Sequence, residues 1–151
     1  MIVLFILTDI DGDREVHING NITELIGIND TEVIGINDTE LKCSFSIESG
    51  DLIAAVIFLA HNSTQFEPIA QFPVYNNTSA TLTSFGIYIF GNLTLTNITN
   101  SSSEAVILFN NLSCIHEREY KCRILVFSNG DYPYETKEFN SNVSSISVKG
   151  R

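Results

Sequence analysis

The sequence predicts an all-β sandwich, and three observations carry that prediction. Strand-forming Ile, Val, Thr, Phe and Tyr dominate while Trp is absent. Turn signals recur at short intervals, at Asp11-Gly12-Asp13, Asn19-Gly20, Asn29-Asp30, Asn37-Asp38, Ser49-Gly50, Asn76-Asn77 and Asn129-Gly130-Asp131. No segment shows convincing helical periodicity. Short strands at such spacing close most readily into two packed sheets or a barrel, a jelly roll among them.

The elements follow in order. Met1 to Leu7 (MIVLFIL) is apolar throughout but lacks a basic leader region and a small-residue cleavage site. An extended, covered strand is therefore preferred to a truncated signal peptide. Next comes an internal repeat, Glu24-Leu-Ile-Gly-Ile-Asn-Asp-Thr31 followed at once by Glu32-Val-Ile-Gly-Ile-Asn-Asp-Thr39. Its even period keeps equivalent side chains on one sheet face, as a duplicated strand and turn would. The boundary is placed between the copies: residues 1–32 as an N-terminal β-extension, 33–151 as the compact domain. Leu52 to Ala60 (LIAAVIFLA), short and rich in β-branched residues, reads as a strand buried on both faces.

Composition narrows the function. Eight basic against eighteen acidic residues give a formal net charge of -10. That balance argues against nucleic acid or an anionic membrane surface as partner, because phosphate binding needs a positive field. No run of about 18 apolar residues, the length of a membrane-spanning helix, is present.

The glycosylation acceptor Asn-x-Ser/Thr occurs at Asn21, Asn29, Asn37, Asn62, Asn76, Asn77, Asn92, Asn97, Asn100, Asn111 and Asn142. Chance placement of this chain's Asn, Ser and Thr gives about 2.7 sequons. An excess of about fourfold points to a secreted or cell-surface glycoprotein with covalent N-linked glycans. Occupied sites must face solvent, which leaves little bare surface for a large cleft.

Val33-Ile-Gly-Ile-Asn-Asp-Thr-Glu-Leu-Lys-Cys43 and Leu112-Ser-Cys-Ile-His-Glu-Arg-Glu-Tyr-Lys-Cys122 carry a resemblance over about three quarters of the chain. The region resembles an immunoglobulin-like domain, most like a variable-type one. The segment ending on Cys43 resembles strand A, its turn and strand B; the segment ending on Cys122 resembles the E–F turn and strand F. Tyr120, two residues before Cys122, stands at the place of the tyrosine corner. Val56-Ile57-Phe58 fits strand C, Val106 to Phe109 strand E, Arg123 to Phe127 strand F, and Val143 to Val148 strand G. The resemblance implies a Greek-key sandwich and a Cys43–Cys122 disulfide between its sheets. Phe58 is the candidate for the place of the family's core Trp. His116 and Arg118 replace the usual Asp and Gly before the Tyr, and residues 62–104 hold extra strands or a sugar-laden loop.

Cys114 is then the odd cysteine, read as a half-buried thiol, an intermolecular disulfide or a swapped partner of Cys43 or Cys122. Asp9, Asp11 and Asp13 alternate around a glycine as in calcium loops. The EF-hand position twelve residues along is Gly20, however, so an acidic turn is preferred and no cofactor is expected. His17, His61 and His116 show no zinc spacing, and no nucleophile motif or phosphate loop is present.

The expected function is non-catalytic protein association. One form is head-to-tail self-assembly into a fibre or coat, through the apolar residues Ile2, Val3, Leu4, Phe5, Ile6 and Leu7. The alternative is a receptor or adhesion module, or a glycan-shielded viral surface protein. The receptor or adhesion form would bind through an F–G loop carrying Tyr132 and Tyr134.

Overall fold

The computed structural model describes residues 10–11, 14–21, 25–27, 33–35, 39–75, 78–110, 112–128 and 135–147. Its strands are β1 (Ile10–Asp11), β2 (Arg14–Asn21), β3 (Leu25–Gly27), β4 (Val33–Gly35), β5 (Thr39–Ser46), β6 (Leu52–His61), β7 (Phe66–Pro73) and β8 (Thr81–Leu82). Helix α1 (Ser84–Phe90) follows, then β9 (Glu104–Phe109), β10 (Glu119–Phe127), β11 (Lys137–Asn140) and β12 (Ser144–Ser145). A four-stranded sheet runs β1-β2-β5-β9 and a six-stranded sheet runs β11-β10-β6-β7-β8, with β12 also paired to β10. All their pairings are antiparallel.

Alternation builds the core. In β10, Tyr120, Cys122, Ile124 and Val126 are buried while the residues between them are at least partly exposed. Val16, Ile18, Leu41 and Ile107 face them from the other sheet's strands, all in one hydrophobic cluster. At roughly 25 cal/mol per Å² of apolar area buried, this cluster is the main driving force for pairing the sheets. Cys43 on β5 and Cys122 on β10 are joined by a disulfide, Cα to Cα 6.1 Å, which ties one sheet to the other. Phe58 lies opposite Cys122 in the ladder, fully buried, with its ring centroid 5.5 Å from that of Phe72.

Four expectations need correction. The boundary near residue 32 does not hold, because β2 pairs β5 from Glu15 to Asn21 and Val16 and Ile18 belong to the core. The strand that pairs with β5 ahead of Cys43 is therefore β2, not the Val33 segment. The two repeat copies pair with each other, Ile26 opposite Ile34, as a separate two-stranded sheet between β2 and β5. The strand over Leu52–His61 is not buried on both faces: Ile53, Val56, Phe58 and Ala60 are buried, whereas Leu52, Ala54, Ala55 and Ile57 are half-exposed. The last-strand pairing expected at Val143 to Val148 falls mainly on β11, with β12 adding a short contact to the start of β10.

The fourth correction is α1, a helix in a chain that shows no helical period. Thr83 caps it, its side chain accepting from the Gly86 N–H, and Gly91 ends it at φ 74°, a left-handed conformation that suits glycine. A Cβ on Gly86 would collide with the Ile69 carbonyl, so glycine lets the helix lie directly on β7. The rest of residues 62–104 is as expected, strands β7 and β8 and an irregular segment carrying Asn92, Asn97 and Asn100.

The turn into β10 is a 3-10 turn, Cys114–His116. Tyr120 donates its hydroxyl to the His116 carbonyl at 2.8 Å, which makes the tyrosine corner, and burial pushes its pKa up. The His116 ring sits 4.9 Å from Phe109 and 5.6 Å from Phe90, and its Nδ1 accepts the Ser113 N–H at 2.9 Å. An accepting Nδ1 means a neutral ring with its proton on Nε2. Burial first, and then the charge of Arg118, hold the His116 pKa below its ordinary value of 6.5.

A histidine held neutral by the fold binds fewer protons than in the unfolded chain. Its contribution is therefore complete above about pH 6.5 and is lost as pH falls through the lowered value. Urea midpoints are expected to fall between pH 7 and 5.5, and to fall less in His116→Gln, which keeps an acceptor but does not titrate. Equal falls in the two proteins would contradict this.

Candidate interaction face

The two sheets present different outer surfaces. On the four-stranded sheet, Glu15 pairs with His17 at 3.4 Å, and Lys42 lies 3.7 Å from Glu40 and 3.8 Å from Glu104. Apart from Val106 and Leu108 on the edge strand β9, the described part of this face is charged or hydroxylated.

The six-stranded sheet is apolar at its centre. Ladder pairs Arg123–Ile57, Leu125–Ala55 and Phe127–Leu52 place these side chains on the face opposite the core. Pro73 stands beside Ala55, and Tyr75 meets Phe127 edge-on at 5.2 Å. Leu59 is 3% exposed yet lies outside the core cluster. Lys121, its ladder partner, sends its ammonium over the Phe66 ring at 4.7 Å. Arg123 is held by Asn140 Oδ1 at 3.0 Å and by Glu138 at 3.2 Å, which sets its guanidinium at the rim of the strip.

At the His61 end of β6, Arg118 links this sheet to α1. Arg118 donates to the His61 carbonyl at 3.0 Å and lies 5.2 Å over the Phe85 ring, which stacks on Tyr88. Tyr88 is 66% exposed, an unusual position for an aromatic ring.

The sequons with described side chains all lie off the strands. Asn62 is in the β6–β7 turn, Asn92, Asn97 and Asn100 lie between α1 and β9, and Asn142 lies between β11 and β12. These positions lie in connections, none of them on the strands that form the six-stranded sheet.

Other sequence candidates fall differently. Ile2, Val3, Leu4, Phe5, Ile6, Leu7, Asp9, Asp13, Asn29, Asn37, Asn76, Asn77, Asn111, Tyr132 and Tyr134 lie outside the described residues. Asp11 pairs with Arg14 in the ladder of β1 and β2, and Asn21 ends β2. Cys114 is half-buried at the head of the 3-10 turn, outside the disulfide. Among the described residues, no group of three or more His, Cys, Asp or Glu is placed to hold a metal ion, and no helix is long and apolar enough to cross a membrane. The apolar face itself was missed in the sequence. Its signal is the outward set Lys121, Arg123, Leu125 and Phe127, which changes from charged to apolar along one strand.

No protein-family model and no curated protein matches the sequence. Among solved structures, murine CRIg superposes with a TM-score of 0.55 at 13% identity, covering 74% of this chain and 85% of that one. The fold is an immunoglobulin-like sandwich. With 380 matching chains the architecture is widely shared, so the immunoglobulin-like fold by itself assigns no ligand.

Proposed function

We propose that this immunoglobulin-like chain is a non-catalytic, N-glycosylated module of the cell exterior that binds a protein partner through the outer face of its six-stranded sheet. The observation that carries the proposal is the half-exposed strip of Ala55, Ile57, Leu125 and Phe127 on strands that bear no sequon. Its charged rim, Lys121, Arg123 and Glu138, matches the usual anatomy of a protein interface, apolar at the centre and polar at the edge. The segment with Tyr132 and Tyr134 connects two strands of this same sheet.

The compartment is supported by the sequon excess and by the Cys43–Cys122 bond, which persists where the surroundings are oxidising. Ile2 to Leu7, the segment expected to drive self-assembly, lies outside the described residues. If the partner is another copy of this chain, it will show as a hit of the protein against itself in the experiment below.

The test is a binding screen of the multimerised, glycosylated protein against a panel of secreted and surface proteins and against itself. Leu125→Arg is expected to weaken any hit by about a hundredfold, as loss of a central anchor does. Leu108→Arg, on the opposite sheet, is expected to leave it unchanged. Hits that survive Leu125→Arg in a protein with normal circular dichroism would sink the proposal.

A further inference from the structure

The described sequons differ in which atom of the asparagine amide the fold uses. Asn62 Oδ1 accepts from the N–H groups of Thr64 and Gln65 and from the Thr64 hydroxyl, at 3.0 to 3.2 Å. Asn97 Oδ1 accepts from the Ala80 N–H and Asn100 Oδ1 from the Ile53 N–H, each at 2.7 Å. In all three the carbonyl is anchored and no described hydrogen bond occupies Nδ2. Asn97 and Asn100 are exposed and Asn62 half-exposed.

Asn142 is different. Its Oδ1 accepts from the Ile18 N–H at 3.1 Å and its Nδ2 donates to the Ile18 carbonyl at 3.3 Å. β1 covers the edge of β2 only at Arg14 and Glu15, so Asn142 takes up the backbone of β2 further along, as a strand neighbour would. Both contacts go to one residue, so the amide presents the edge on which Oδ1 and one nitrogen-bound hydrogen lie on the same side.

N-glycosylation forms a bond from Nδ2 to the sugar C1, breaks the C1–O bond to the diphosphate of a lipid-linked sugar donor, and releases one proton from the nitrogen. The product is a secondary amide. In its trans form, the favoured one, C1 lies on the same side as Oδ1, where the hydrogen bonded to Ile18 has to be. A glycan and the Ile18 contact therefore exclude each other at Asn142, whereas a glycan on Asn62, Asn97 or Asn100 replaces a hydrogen that the described contacts do not use.

We infer that Asn62, Asn97 and Asn100 carry N-linked glycans, whereas Asn142, despite its sequon, carries none and serves as the edge partner of β2. The inference rests on the proposed extracellular setting and sorts the sites within it. A chain glycosylated at Asn142 before folding would have to fold without closing this edge.

The test is the full chain secreted from cultured animal cells, with the glycans removed enzymatically in heavy-oxygen water so that occupied sites become labelled aspartate. Label is expected at Asn62, Asn97 and Asn100 and not at Asn142. Thr64→Ala and Ser102→Ala should each lighten the protein by one glycan; Ser144→Ala, which destroys only the Asn142 sequon, should change neither glycan mass nor melting temperature. Asn142→Asp, which can accept from Ile18 but not donate, should lower the melting temperature by about 3 °C. One glycan lost in Ser144→Ala, or Asn142→Asp melting like the parent, overturns the role given to Asn142. No label at any site overturns the glycan assignments and the glycoprotein reading together, a result distinct from label at Asn142 alone.

Discussion

Replacing Cys43 and Cys122 together by alanine is expected to lower stability by about 4 kcal/mol, the chain-entropy value for a closed loop of this length. The bond spans 79 positions of sequence and lies between the two sheets, so its loss frees most of the chain in the unfolded state. The midpoint of thermal unfolding should drop on the order of 10 °C. Phe58, packed beside Cys122, limits the further loss, because its ring also rests on Phe72 and stays covered. A double variant melting within about 2 °C of the parent would show that sheet packing alone holds the sandwich.

Arg14→Ala is expected to cost about 3–5 kcal/mol, the usual loss when one partner of a buried ion pair is removed. Arg14 holds Asp51 with two bonds, of 2.8 and 2.9 Å to its two carboxylate oxygens, and the two side chains are only 8% and 1% exposed. The guanidinium also reaches Glu48 at 2.8 Å and lies 5.4 Å over the Phe139 ring on β11. The pair thus links the start of β2 to the β5–β6 turn and to the other sheet. Removing the arginine takes the cation from a buried carboxylate, and that desolvation, more than lost attraction, sets the magnitude. Arg14→Met with Asp51→Leu should recover most of the loss in chemical denaturation, short of the Asp51 bond to the Glu48 N–H. A double variant no more stable than Arg14→Ala would contradict this account.

Much of the architecture was legible in the sequence because its signals are local and periodic. Alternation of charged and apolar residues from Glu119 to Ile124 marks a strand with one buried face, and Tyr120 two places before Cys122 marks the corner that the structure closes onto His116. The repeat was legible as a strand and turn, but not its destination. The later copy resembles a first strand because it precedes Cys43. Antiparallel pairing between the two copies is a nearer partner than the sandwich edge. β2 takes that edge instead, with Val16 and Ile18 supplying inward side chains. Helix α1 had no sequence signal of its own period; its cap at Thr83 is local, but the close approach of Gly86 to β7 is a tertiary fact. The interaction face was hidden for a related reason. Leu125, Phe127 and Ile57 resemble core residues in sequence, and only the ladder register shows them on the outer side of the sheet.

A matched pair of added glycans tests the face most directly. Arg123→Asn with Leu125→Thr creates a sequon on the outer face of the six-stranded sheet, beside the apolar strip. Glu104→Asn with Val106→Thr creates one on the outer face of the four-stranded sheet, where Glu104 is 51% exposed. With both glycans confirmed by mass, binding of the partner found in the screen should be abolished by the first and retained by the second. Binding retained with a sugar at position 123, or lost only with a sugar at position 104, would contradict the assignment of the face.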